Sequence, residues 1–225
     1  MTTVYTVNNK VLKNSATDKW LKKPDAIDYN PYNLPAKTFR VKLGSSWAGD
    51  PSITATQVEG DIYDITFPSD SAINSFSKSA VIGLLGANGT GLTSVPSSLT
   101  SLTGAVGNLY LPDTTSLFSF FVGSSISSIG AIYAPNVTMI NEMCTGNSNL
   151  TAVPDLDVSN VTLCKKAFYG CTSVESGALT LYNKLAALGA QVIDHQETFA
   201  GCGSNTVTGA AELAQIPSSW GGTGS

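Results

Sequence analysis

One stretch of this chain repeats itself, and that repetition limits what it can fold into. Pro135-Asn136-Val137-Thr138 leads to Met143-Cys144-Thr145-Gly146, and 24 residues on, Ser159-Asn160-Val161-Thr162 leads to Ala167-Phe168-Tyr169-Gly170-Cys171. Pro112-Asp113-Thr114-Thr115 with Phe120-Phe121-Val122-Gly123, and Gln191-Val192 with Phe199-Ala200-Gly201-Cys202, give the same skeleton before and after. A period of this length predicts stacked supersecondary units, each too small to bury its apolar face alone.

The phase of the repeat predicts where strands lie. Ahead of each turn sits a triplet: Leu109-Tyr110-Leu111, Ile132-Tyr133-Ala134, Leu156-Asp157-Val158 and Leu179-Thr180-Leu181. Apolar outer residues around a different middle one give the period of two expected of a strand with one buried face. After the turn, Val137, Ile140, Met143 and Cys144, matched by Val161, Cys164, Ala167 and Phe168, recur at three- and four-residue steps, which predicts short helical turns. The glycines at 123, 146, 170 and 201 are expected to stop each turn in the left-handed region.

Upstream, Phe39–Leu43, Gln57-Val58 and Asp61–Phe67 alternate in polarity and predict a small antiparallel sheet that caps the repeats. Gly86 to Thr93 reads as turn punctuation, because it lacks the Gly-Lys-Ser/Thr ending of a phosphate loop. Further upstream, Val4-Tyr5-Thr6-Val7 and Lys10-Val11-Leu12 flank Asn8-Asn9 as a hairpin, followed by a linker with Pro24, Pro31 and Pro35. A hairpin this small is not stable alone, so it is expected to be pinned to the body or to another subunit. Residues 179 to 188 predict the longest helix. The expected organisation is an arm over 1–35, a β cap over 36–80 and repeats with a C-terminal cap over 81–225.

Asn160-Val161-Thr162 with Phe168-Tyr169-Gly170-Cys171, preceded by Leu150-Thr151-Ala152-Val153-Pro154, resembles the BspA-like leucine-rich-repeat family of gut-bacterial surface and phage-encoded proteins. The resemblance covers about residues 80 to 205. It implies an α+β, β-rich leucine-rich-repeat solenoid with no cofactor and work done by binding. The antiparallel cap and the extended arm complete that expectation.

Chemistry-bearing patterns are sparse. The single histidine, His195, occupies a repeat slot and reads as structural, so no catalytic residue is assigned. Cys144, Cys164, Cys171 and Cys202 form no Cys-x-x-Cys pair, so no metal site is expected, and they read as buried thiols. Cys171 and Cys202, at equivalent positions of successive units, are also candidates for a bridge. If the triplets stack in register, Tyr110, Tyr133, Asp157 and Thr180 form one ladder. That ladder reads either as a binding face for sugar or peptide or as a tolerated solvent face.

Charge separates the chain in two. Residues 1 to 42 hold eight of the twelve basic residues against three acids, leaving 43 to 225 at −9. No aromatic-studded basic motif accompanies the lysines, so nucleic acid is not an expected partner. No run of 18 apolar residues suggests a membrane span, and the first residues do not read as a secretory signal. The functional expectation is a non-enzymatic structural and binding module on a phage virion, assembled in the host cytoplasm. Its arm would attach to a virion or surface protein and its repeats to a host-surface glycan or protein, with a homo-oligomer such as a trimer supplying avidity. The alternative is a bacterial cell-surface adhesin without its leader.

Overall fold

The computed structural model describes residues 27–225 together with the backbone of two short strands, β1 (Leu12–Asn14) and β2 (Lys19–Leu21), which pair antiparallel. Most of the hairpin expected around Asn8-Asn9 lies outside the described residues. The main sheet begins with β3 (Thr38–Leu43), β4 (Thr54–Glu59) and β5 (Ile62–Thr66), as the alternation predicts. A short helix, α1 (Asp70–Ser75), leads into β6 (Val81–Asn88). Then come β7 (Thr103–Val106), β8 (Asn108–Tyr110), β9 (Ser125–Ile129) and β10 (Ile132–Tyr133). Helices α2 (Ala178–Ala186) and α3 (Val207–Leu213) follow near the end.

The expected leucine-rich-repeat solenoid is corrected by this topology. Among the described residues the fold is a mixed α/β arrangement with three short α-helices and a six-stranded mixed sheet, ordered β10-β8-β6-β3-β5-β4. The antiparallel strands are not a separate cap: β6 pairs antiparallel with β3 and parallel with β8, so one sheet joins the two halves. Of the four expected triplets, only those centred on Tyr110 and Tyr133 enter the sheet, as β8 and β10. Leu156-Asp157-Val158 forms no strand, and Leu179-Thr180-Leu181 lies inside α2.

The helical turns expected after each Asn/Asp-x-Thr are also corrected, and the backbone shows why. Ile140, Glu142, Cys144 and Gly146 give their N–H groups to the carbonyls of Leu163, Lys165, Ala167 and Tyr169 in the next unit, at 2.8 to 2.9 Å. An α-helix would need those same N–H groups four residues back in its own segment. Met143 N and Thr145 N close local turns instead, onto the carbonyls of Ile140 and Glu142. Each segment is therefore a run of turns, bent at a left-handed residue (Ser119, Glu142, Lys166, Glu197) and again at Gly123, Gly146, Gly170 or Gly201. The glycine positions agree with the sequence reading. A Cβ on Gly146 would lie 3.8 Å from the Cα of Gly123, and one on Gly170 3.8 Å from that of Gly146, so like positions are stacked.

Under these turns runs one continuous apolar core that includes Phe39, Phe67, Phe120, Phe168 and Phe199. Asn147 is fully buried within it, donating to the carbonyls of Phe121 and Cys144 and accepting from Ser124 Oγ. Buried polar groups persist only when paired in this way.

Candidate functional site

The polar face of the sheet is crossed by the chain's own residues 28–34. Asn108 Nδ2 on β8 donates to the Asp28 carbonyl at 2.8 Å, and Asn88 Nδ2 on β6 donates to the Leu34 carbonyl at 2.7 Å. Between these ties, Tyr32 lies beneath the Arg40 guanidinium, 4.6 Å from its ring centroid. Tyr32 also packs on Gly86, where a Cβ would come within 3.1 Å of the ring. Asn30 closes the strap locally, accepting from Leu34 N and donating to Leu34 O. The described part of the proline-bearing linker expected from sequence, residues 28–34, is thus seated on the sheet as an irregular strap.

That strap changes the status of the tyrosine ladder. Tyr110 and Tyr133 stand opposite each other on β8 and β10 and stack with centroids 5.3 Å apart and planes 12° off parallel. Burial is the main cause that raises the Tyr110 phenol above its usual range, with Tyr133 and Asp113 adding to it. Tyr29 of the strap then meets Tyr133 at 5.4 Å with planes tilted by 49°. The aromatic surface is a corner built from strap and edge strand.

A groove of about 580 Å³ opens at this corner. It is lined by Tyr29, by residues 132–135 of and after β10, by residues 155–159, and by Lys184 on α2. The volume falls within the range of small-molecule sites, roughly 300–1,000 Å³. The groove exists because Leu156-Asp157-Val158 does not pair with β10 as a further strand.

Inside it, Asp157 Oδ1 accepts from the Ser159 amide at 3.0 Å and the Ser159 hydroxyl at 2.7 Å. The Ser159 hydroxyl, then its amide, hold the Asp157 carboxyl below the usual carboxylate range, with Lys184 helping and partial burial opposing. Its Oδ2 has no hydrogen-bond partner among the described residues. Lys184 is ion-paired with Asp155 and reaches the Leu156 carbonyl at 3.4 Å. The groove therefore carries one paired carboxylate, one ionised carboxylate with a free oxygen, a hydroxyl and an aromatic corner.

Of the four residues expected to form one ladder, the structure brings Tyr133 and Asp157 into the groove. Tyr110 supports Tyr133 from behind without lining it. Thr180 is exposed on α2, outside the groove, because its triplet is helical. Sequence reasoning missed Tyr29, Asp155, Ser159 and Lys184. The Asp155-x-Asp157-x-Ser159 alternation was a usable signal; for Tyr29 there was none, since its partner lies 104 residues away.

The remaining candidates sit elsewhere. His195 stacks on Trp220 with centroids 4.0 Å apart and planes 7° off parallel. All four cysteines are free and buried, so Cys171 and Cys202 are not bridged. Burial pushes the Cys171 thiol up to about 12 and the Cys164 thiol up to about 11. Among the described residues, no three His, Cys, Asp or Glu side chains are grouped to hold a metal ion. Among them too, no helix is long and apolar enough to cross a membrane. No protein-family model, curated protein or solved structure matches this chain.

Proposed function

We propose that this protein is a non-enzymatic binding module that takes part of a host-surface glycan into the groove between Tyr29, Tyr133 and Asp157. The groove carries the reading: an aromatic corner offers C–H contact to a sugar ring, while Asp157 Oδ2 and the Asp155 carboxylate accept hydroxyl protons. A carboxyl held low, as Asp157 is, suits a hydrogen-bond acceptor. A glycosidase acid needs the opposite shift. The display surface in this proposal is a phage virion, with the basic N-terminal residues as its attachment, a role that fits their charge against the acidic body.

The test is a glycan array followed by titration calorimetry on the hits with Tyr133→Ser, Asp157→Asn and the parent chain. Saturable binding that weakens at least tenfold in both variants is expected. Binding that is equal in all three proteins, or absent from every glycan, would refute it.

A further inference from the structure

Among the described residues, the main sheet has one long uncovered edge and the β1–β2 hairpin joins no larger sheet. Strand β4 ends the order β10-β8-β6-β3-β5-β4, and all six of its residues, Thr54 to Glu59, are exposed. Its outward N–H and C=O groups form a pairing template, which proteins ordinarily blunt with lysine, proline or a bulge. β4 contains no lysine and no proline. Its register irregularity falls between Gln57 and Glu59, so Thr54 to Gln57 stay regular. Nothing described pairs with that edge.

The hairpin of β1 and β2 pairs only with itself among the described strands. Two strands alone are at best marginally stable in water, and among the described residues no third strand joins them. Residues 12 to 23 contain Lys13, Lys19, Lys22 and Lys23 against one acid, Asp18. The β4–β5 ribbon contains Glu59, Asp61 and Asp64 and no basic residue. Arg40 pairs with Asp64 and Lys42 with Asp61, which leaves Glu59 as the carboxylate without a described cation.

Chain length decides which copy the hairpin meets. Asp28 is tied to β8, so a strand added outside β4 lies five strand spacings away, about 24 Å. The seven steps from Leu21 to Asp28 span about 23–25 Å only when every residue is fully extended and aimed straight along the sheet. Pairing with a neighbour's β4 carries no such demand. We propose that the β1–β2 hairpin of one copy adds to the β4 edge of a second copy, extending its six-stranded sheet. The contact is head-to-tail, so it closes into a ring when the rotation between copies allows.

The test uses the full chain in analytical ultracentrifugation across micromolar concentrations. The parent protein is expected to sediment as a multimer. Thr56→Lys/Glu59→Lys alters only exposed side chains, puts positive charge on the edge, and is expected to weaken assembly at least tenfold while the melting temperature stays constant. Lys13→Glu/Lys19→Glu, which leaves the sheet untouched, is expected to weaken it equally. Combining the two double variants is expected to restore assembly, because the charges are exchanged. A monomeric parent, or assembly indifferent to either double variant, overturns the proposal. Loss in both without rescue in the combination overturns the hairpin as the occupant of that edge.

Discussion

Replacing Tyr110 by serine separates a supporting role from a contact role. Tyr110 is half-buried and stacked on Tyr133 at 5.3 Å, and Tyr133 in turn faces the groove. Full burial of a large apolar side chain contributes roughly 1.5–3 kcal/mol, so a half-buried ring contributes about 1–1.5 kcal/mol. The stacked pair adds about 0.5–1.5 kcal/mol beyond area. Tyr110→Ser is therefore expected to destabilise by about 2 kcal/mol. For a chain of this size that lowers the melting temperature by roughly 4–8 °C.

Tyr29 offers the contrast. It reaches Tyr133 from the strap, whose other ties through Asn88 and Asn108 survive its removal. Tyr29→Ser is expected to cost under about 1 kcal/mol of stability while weakening ligand binding at least tenfold. Scanning calorimetry and titration on the same samples give both quantities, and a Tyr110/Tyr133 double-mutant cycle isolates the stacking energy. If Tyr110→Ser leaves the melting temperature within about 1 °C of the parent and abolishes binding, Tyr110 is a contact residue and the stacking argument is wrong.

Two further outcomes follow from buried and perturbed groups. Asn147→Ala removes one donor each from the Phe121 and Cys144 carbonyls, which keep other partners, and the acceptor of Ser124 Oγ, so at about 1 kcal/mol per hydrogen bond urea unfolding is expected to show a loss of about 3 kcal/mol. An Asn147→Ala midpoint equal to the parent's would mean the network contributes nothing. Asp157 has a folded-state pKa below its unfolded value of about 3.9, so its contribution is present above that pH and is lost as pH falls through the folded value. Glycan affinity is accordingly expected to stay flat from neutral pH down to about pH 4 and to fall only below it. Ser159→Ala removes the largest cause of the depression and is expected to move that fall to higher pH; an unmoved profile would dissociate Ser159 from the Asp157 charge.

What was legible in the sequence divides by the range of the interaction that fixes it. β3 announces itself through Phe39-Arg40-Val41-Lys42-Leu43, because one face is buried and the other is not, while β5, Ile62-Tyr63-Asp64-Ile65, shows the same alternation in sequence though only Ile65 of it is fully buried. β6 does not, although it is the strand on which the sheet turns from antiparallel to parallel. Val81-Ile82-Gly83-Leu84-Leu85-Gly86-Ala87-Asn88 is apolar on both faces, and its glycines mimic turn punctuation. Those glycines answer to neighbours: Gly86 lies under Tyr32, and a Cβ at Gly83 would come within 3.1 Å of the Lys42 Cβ. The three- and four-residue spacing after each turn reported burial correctly and conformation wrongly. Spacing encodes which side chains point inward, while the partner of each N–H, here the next unit's carbonyl, decides between helix and stacked turn. The site divides in the same way. The Tyr110–Tyr133 pair follows from the repeat, since equal phase places equal positions side by side. Tyr29 and Lys184 reach the groove from a strap and a helix that the repeat does not generate. A site assembled where a repeat stops forming strands has one wall written in the repeat, and its other walls can be read only from what covers the break.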